Sequence, residues 1–493
     1  MTAVAPPVVA QPGYDPSALT VGIVHFGVGN FHRSHQALYL DKLFASGEAL
    51  DFAICGVGVL PGDARMRDAL RGQGMRYTLV ERHPDGEVVA RSIASIVDFL
   101  HAPDDVEAVL EKLADPAVRI VSLTITEGGY NTDEATGEFD LSSPAVAADL
   151  APGAVPATVF GLVVEGVRRR RERGLAPFTV MSCDNLQGNG HVARASLLAF
   201  ARAKDADLAA WMAAEMSFPS SMVDRITPVT GPDELAFVSS TFGVDDAWPV
   251  VSEGFTQWVL EDAFPAGRPP YELVGVQLVD DVVPYEKMKL RLLNASHQAI
   301  AYFGVLLGHT FAHEAATDPL LVRLLERFMR EEAEPTLGAV PGVDLAEYEA
   351  GLIDRFANPY VRDTLLRLAT DASDRIAKFV LPVVRDRIAA GGGVDLAAAV
   401  VASWAEFAAF RDADGRPIEV TDRQAPAVAS AVARAAADPA AFLDDERLFG
   451  DLAGDPVFAE SFARAARAIR ELGAREALAV IVDAPRHRES RER

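Results

Sequence analysis

The stretch Val21-Gly22-Ile23-Val24-His25-Phe26-Gly27-Val28-Gly29-Asn30-Phe31 decides the fold. Its first six residues form a short apolar run rich in β-branched and aromatic side chains, which predicts a strand. Glycines at 27 and 29 follow at once, and from Phe31 to Ala45 apolar residues recur at helical spacing, with Leu38, Tyr39 and Leu43 on one side. A strand, a tight glycine turn and a helix N-terminus together make an anion site, because the backbone can approach a pyrophosphate closely and the helix dipole favours its charge. The pattern departs from G-x-G-x-x-G, since His32 stands at the third glycine place. Alone it is also compatible with a plain turn between strand and helix. Its place at the first strand of an alternating half favours a dinucleotide site, with Phe26, Gly27, Val28, Gly29, Asn30 and Phe31 as candidate cofactor residues.

Outward from there, strand-like and helix-like stretches alternate. Phe52 to Val59, Arg119 to Ile125 and Phe178 to Cys183 read as strands; Asp104 to Leu113 and Pro156 to Arg173 read as helices. Such alternation predicts a mostly parallel sheet covered on both faces. After about Pro284 strand signals nearly vanish. Lys287 to Leu307, Asp318 to Glu332, Val361 to Thr370, Leu396 to Arg411 and Ala425 to Ala437 all look helical. The expected architecture is therefore α/β, with a Rossmann-type dinucleotide-binding domain over 1–284 and a mainly α-helical domain over 285–493. Met1 to Gly13 reads as a loose arm without the basic start of a secretory signal, and His487 to Arg493 as a frayed tail.

The second strand ends near Val59 and is followed by Leu60-Pro61-Gly62-Asp63. An acidic residue there can accept hydrogen bonds from the ribose hydroxyls of NAD and repel a 2′-phosphate. Asp63 is the candidate, although it is also placed to cap the next helix, and Arg65 and Arg67 nearby would suit NADP instead.

Bulk composition narrows the class. The 493 residues are 49% hydrophobic and 24% charged, with a formal net charge of −25. That balance is globular, and the charge disfavours nucleic acid and anionic membranes as partners. The basic run Arg168 to Arg171 ends a helix, where cations suit the dipole. No apolar run is long enough to span a bilayer. Two cysteines, Cys55 and Cys183, lie in apolar strand-like runs and read as reduced core thiols of a cytoplasmic protein.

The segment from Tyr285 to His297, YEKMKLRLLNASH, carries the richest chemistry. On a helix turning about 100° per residue, His297 lies about 80° from Lys289 and Asn294 about 140°. A lysine partly desolvated in a cleft can take the proton of a secondary alcohol, and an amide can donate to the developing alkoxide. By spacing alone an ordinary helix surface is the better reading of this face. Polar residues also follow directly on strands at Ser182-Cys183-Asp184-Asn185-Leu186 and at Thr124-Ile125-Thr126-Glu127-Gly128-Gly129-Tyr130, where open α/β sheets bind ligands.

Six ordered blocks carry a resemblance to a known family: HFGVGNFHRSHQ from His25, SLTITEGGY from Ser122, FTVMSCDNLQGNG from Phe178, FPSSMVDRITP from Phe218, QWVLED from Gln257 and KLRLLNASH from Lys289. The chain resembles the polyol-specific long-chain dehydrogenases, which include mannitol, arabinitol and hexuronate enzymes, and its wording lies nearest the mannitol group. The resemblance implies NAD-dependent, metal-independent oxidation of a secondary hydroxyl of a small polyol, D-mannitol to D-fructose first among them. It gives Lys289 the role of general base, Asn185 and Asn294 that of an oxyanion-stabilising pair, and His297 and Asp224 places around the substrate. Glu127 would serve a proton relay or simply hold a loop, and Thr126 joins the cofactor set. Two basic substrate contacts fall on Arg367 and Arg375; the second is usually lysine in the mannitol enzymes, and the two differ in reach. The alternatives are a hexuronate reductase, in which these arginines would hold a carboxylate, an arabinitol or sorbitol dehydrogenase, and a non-catalytic NAD-binding protein. Nothing in the sequence demands a dimer, and the chain is compatible with a monomer. His309 and His313 are spaced as metal ligands can be, but HTFAH lacks the glutamate of H-E-x-x-H and no third ligand is evident, so no metal is expected.

Overall fold

The structure is a computed structural model that describes residues 8–132, 137–409, 418 and 420–485. The chain divides into two compact units, Met1–Val283 and Pro284–Arg493.

The first unit is built on a five-stranded parallel sheet. Its spatial order is Ile96–His101, Ala53–Gly58, Val21–Phe26, Ile120–Leu123, Thr179–Ser182. The strand that opens the sequence argument is thus the central one, and the chain order reverses beside it, which is where open α/β sheets bind ligands. Alternate residues of this strand feed opposite cores. Val24 and Phe26 pack with the helices Val106–Leu113, Val159–Glu172 and Asn189–Lys204, whereas Ile23 packs with Leu38, Leu43 and Met66 from the other side. That is the period-2 geometry of a strand buried on both faces.

Two three-stranded sheets complete the unit. One joins Val88–Ile93, Tyr77–Arg82 and Val250–Glu253; the other joins Gln277–Val279, Gln257–Glu261 and Ser221–Asp224. The first contains a hairpin turned by His83-Pro84-Asp85-Gly86, a Pro-Asp-Gly turn signal that the sequence reading passed over.

Several boundaries shift. The helix expected from Phe31 to Ala45 is two helices, Asn30–Ser34 and Gln36–Ala45, broken at His35. The helix expected from Pro156 begins at Val159, capped by the Thr158 hydroxyl. The arm is not wholly loose: the Ala10 amide donates to Ala90 O, and Ser92 N donates to Ala10 O. The arm's first seven residues and the tail His487 to Arg493 lie outside the described residues. Arg168 and Arg169 are answered by Glu107, Glu111, Glu165 and Glu172, Arg170 donates to the main-chain oxygens of Leu113, Asp115 and Ala176, and Arg171 lies over Trp211, so the basic run is a helix end engaged by its neighbours. Cys55 and Cys183 are buried free thiols, and burial pushes both well above the ordinary thiol range.

The second unit is helical, and three of its helices contain π-helical turns: Lys289–Asn294, Phe328–Ala333 and Ile376–Val380. The first of these packs against the other two. The helix expected over Val361 to Thr370 shrinks to Leu365–Leu368, because Thr364 caps it at residue 367 and the preceding residues are non-helical. The helix expected to reach Arg411 is described to Ala409, and Arg411 itself lies outside the described residues.

The second π turn does visible structural work. It places the buried Glu332 so that its two carboxylate oxygens accept from Leu396 N at 2.8 Å and Ala397 N at 2.7 Å, at the start of helix Asp395–Ala409. Glu332→Ala leaves two buried amides without an acceptor. We expect a loss of about 1–3 kcal/mol, read as a lower melting temperature by calorimetry. An unchanged melting temperature would remove this role.

Candidate active site

In the first unit the site starts at the end of the central strand. Gly27 has φ +91°, a conformation that favours glycine, and a Cβ there would stand 2.0 Å from Thr124 O. Beneath the turn, His25 Nδ1 meets Ser122 Oγ at 2.8 Å and Nε2 meets Thr124 Oγ1 at 2.9 Å; Thr124 Oγ1 donates to Gly27 O at 2.7 Å. The His25 and His32 rings stack with centroids 3.4 Å apart. Burial pushes His25 down to about 3 and His32 well below the ordinary range, so both are neutral supports for the turn. His32, at the place of a third glycine, is therefore a packing residue.

Gly29 caps the helix start without a side-chain hydrogen bond, and a Cβ there would meet nothing within 4 Å except Gly27 O at 3.8 Å. Open space at this glycine, in front of a helix start whose first amides have no side-chain cap, fits a pyrophosphate. Val28 is half-buried and leans over Gly56, which has no Cβ to obstruct it. Phe26 is wholly buried in the core, and only its backbone can face a ligand. Asn30 turns away from the turn, donating to Pro228 O and Thr230 Oγ1, both at 2.9 Å, while Phe31 stacks on His35.

Asp63 follows the second strand as expected, but one of its oxygens, Oδ2, accepts from Val59 N and Leu60 N, both at 2.9 Å. It shapes its own loop. Arg67 is engaged by Asp68 and Asp104, and Arg65 stacks over Trp248, so neither arginine is laid out as a dedicated phosphate clamp.

Three further sequence candidates follow strands of this unit. Glu127 is exposed in a 3-10 turn after Ile120–Leu123, preceded by Thr126 with φ +64° and ψ 167°. Asn185 is exposed after Thr179–Ser182. Asp224 is buried as the last residue of Ser221–Asp224. The residue beside it, Arg225, is wholly buried and paired with Glu81 at 2.6 Å, which fixes that strand end.

In the second unit, Lys289 opens the π turn that ends at Asn294. This corrects the angular reading. With an i→i+5 pattern the two residues stand about one full turn apart, so they share a face more closely than an α-helix would allow. Single π turns occur frequently at functional sites. Both side chains are buried, at 8% and 7% exposure. The neighbouring bases take a different direction: Arg291 pairs with Asp386 at 2.6 Å and Lys287 reaches the same carboxylate at 3.5 Å. His297 is half-buried, its ring resting on Phe356 with centroids 4.3 Å apart. Glu286, one turn before Lys289 and also buried, was missed by the sequence reading, although its i, i−3 spacing from the lysine was the available signal.

Arg367 is exposed but its Nε and Nη2 both donate to Asp363. Arg375 is half-buried just before the third π turn, where its Nη1 lies 3.5 Å from Leu368 O. His309 pairs with Asp318 and His313 stacks on Phe311. Among the described residues no group of three or more His, Cys, Asp or Glu side chains is arranged to hold a metal ion.

A central strand ending in a glycine turn with an open face before a helix start defines a dinucleotide-binding protein of the Rossmann class. Residues 21–273 match the family model of the mannitol dehydrogenase Rossmann domain, and residues 281–470 that of the mannitol dehydrogenase C-terminal domain. The chain belongs to the mannitol dehydrogenase family. It is 45% identical to mannitol 2-dehydrogenase of Cereibacter sphaeroides, over 95% of this chain and 98% of that one. Among solved structures, it superposes on Pseudomonas fluorescens mannitol 2-dehydrogenase in ternary complex with NAD and D-mannitol with a TM-score of 0.87, at 44% identity over 97% of this chain and 98% of that one. A D-sorbitol dehydrogenase in substrate-free form matches with a TM-score of 0.88 at 39% identity, over 95% and 97% of the two chains.

Proposed function

We propose that this protein is an NAD-dependent polyol dehydrogenase that oxidises D-mannitol to D-fructose, reversibly, with Lys289 as general base and no metal. Residues 1–284 carry the cofactor role and contribute Glu127, Asn185 and Asp224 to the chemistry, and residues 285–493 carry the general base and the remaining substrate contacts. The observation that carries the reading is the buried Lys289–Asn294 π turn in a chain with an open glycine turn for a dinucleotide. NAD, when bound along Gly27 to Phe31, supplies the hydride acceptor. Lys289 Nζ takes the hydroxyl proton, and in the reverse direction returns it to the ketose oxygen. The Asn185 and Asn294 amides donate to the oxygen as its charge grows. His297, Asp224 and Arg375 bind and orient the remaining hydroxyls, and Glu127 serves the proton's path.

Arg367 favours a polyol over a hexuronate. Its Nε and Nη2 donate to the Asp363 carboxylate, whose negative charge lies against the guanidinium and disfavours a second carboxylate beside it. The test uses NADH with D-fructose and with D-fructuronate as alternative substrates. We expect the higher kcat/KM with fructose; a higher value with fructuronate would move the protein to the hexuronate reductases.

We further propose a preference for NAD over NADP, supported by Asp63 after the second strand and by the engagement of Arg67 with acidic neighbours. Comparing kcat/KM for the two cofactors checks this, and a preference for NADP would contradict it. The acidic chain with two buried free thiols fits a protein working in the cytoplasm without nucleic-acid or membrane partners; light scattering on the purified protein reads whether it works as a monomer.

A further inference from the structure

We propose that Asp184 is a positioning residue that holds Glu127 and Asn185 in fixed relation for the reaction, with Asn189 carrying the tie onward to the strand of Asp224. The inference rests on the functional reading above, which gives those three residues their roles.

Asp184 is buried between two loops that leave neighbouring parallel strands. Its Oδ1 accepts from Thr126 N at 2.8 Å, and its Oδ2 accepts from Ile125 N at 3.1 Å and from the Tyr130 hydroxyl at 2.8 Å. The Tyr130 hydroxyl also meets Ser182 Oγ at 2.6 Å. A single side chain on the loop of Asn185 therefore grips both ends of the turn that bears Glu127. Its main-chain oxygen accepts from Asn189 Nδ2 at 2.9 Å; the same nitrogen donates to Ser221 O at 2.8 Å, and Asn189 Oδ1 accepts from Ser221 N at 2.9 Å. Ser221 Oγ donates to Ser182 O at 2.7 Å, closing the circuit. Asn189 is wholly buried, and Ser221 begins the four-residue strand that ends at Asp224.

Two features make this more than ordinary loop packing. Thr126 is held at φ +64° and ψ 167°, a region that non-glycine residues keep only when their surroundings enforce it, and the enforcing bond is the one to Asp184. Each of the ties also falls within three residues of a proposed site residue: Thr126 precedes Glu127, Asp184 precedes Asn185, and Ser221 lies three before Asp224. A carboxylate suits this post because it offers several acceptor sites and no donor to three converging N–H and O–H groups.

The test is a double-mutant cycle on the full-length enzyme, reading kcat, the KM for mannitol and the Kd for NAD. In Asp184→Asn the side-chain amide sets a donor against backbone donors, so the Thr126 turn loses its grip. We expect kcat to fall by at least about tenfold, a larger change than any rise in the Kd for NAD that the displaced Thr126 brings. In an Asn185→Ala background the same substitution is expected to cost less than about threefold, because residues acting through one another are not additive. An equal loss in both backgrounds, or no loss in either, overturns the proposal. If Asp184→Asn does not fold, Tyr130→Phe takes its place with a smaller expected loss that must likewise shrink in the Asn185→Ala background. Asn185→Ala alone reports separately on the functional reading. A wild-type kcat there would overturn the role of Asn185, and the cycle would then be run against Glu127→Gln, with the same two outcomes deciding the positioning claim.

Discussion

Lys289→Ala is expected to lower kcat for mannitol oxidation by roughly 10² to 10⁴, the usual contribution of a positioned acid or base, while NAD binding stays near wild type. Of the three bases in Lys287 to Arg291, two share the Asp386 carboxylate, whereas the third opens a π turn and is buried with Asn294 one turn on. The substitution removes an amine from a helix that Met288, Leu292 and Leu293 keep packed, so folding is expected to survive. Stopped-flow NADH formation and a fluorescence titration with NAD separate the two effects. A kcat within a factor of about three of wild type would show that the proton leaves by another route.

The glycine turn offers a second large effect, in a pair of variants that separate folding from binding. Gly27→Ala places a Cβ against the backbone oxygen of Thr124, which cannot swing away as a side chain would, and does so at a positive φ that costs a non-glycine residue about 1–2 kcal/mol in itself. Both the melting temperature and NAD affinity should fall. Gly29→Ala meets only Gly27 O at 3.8 Å and has an ordinary extended backbone. Its melting temperature should stay unchanged, while the Kd for NAD rises by about tenfold or more, because the new methyl stands where the pyrophosphate must approach. If Gly29→Ala bound NAD as the wild type does, the dinucleotide would not lie over this turn.

Much of the fold was legible because burial on both faces leaves a plain mark. Val21–Phe26 is apolar apart from His25, and a strand covered on both faces needs such a run. The helical texture after Pro284 was legible because strand signals nearly vanish there. The π turns were not. A π turn accommodates one extra residue without altering the apolar pattern around it, so Lys289 and Asn294 looked about 140° apart on an ideal α-helix. The role of Asp63 stayed open because one carboxylate near a strand end can serve a ribose or its own loop, and here Oδ2 serves the loop. Asp184 was read only as one of the polar residues beside Asn185. Its importance lies in amides of another loop, 58 and 59 residues away in the chain, and no local pattern announces which backbone groups a buried carboxylate will meet. His32 was read only as a missing glycine, whereas it supports the turn by stacking on His25.

The most direct measurement is the oxidation of D-mannitol by the purified protein with NAD in the presence of EDTA, following NADH and identifying the sugar formed. The account predicts NADH and D-fructose in equal amounts, at a rate the chelator does not change and above that with arabinitol or sorbitol. No NADH from mannitol, or a rate abolished by EDTA, would contradict it.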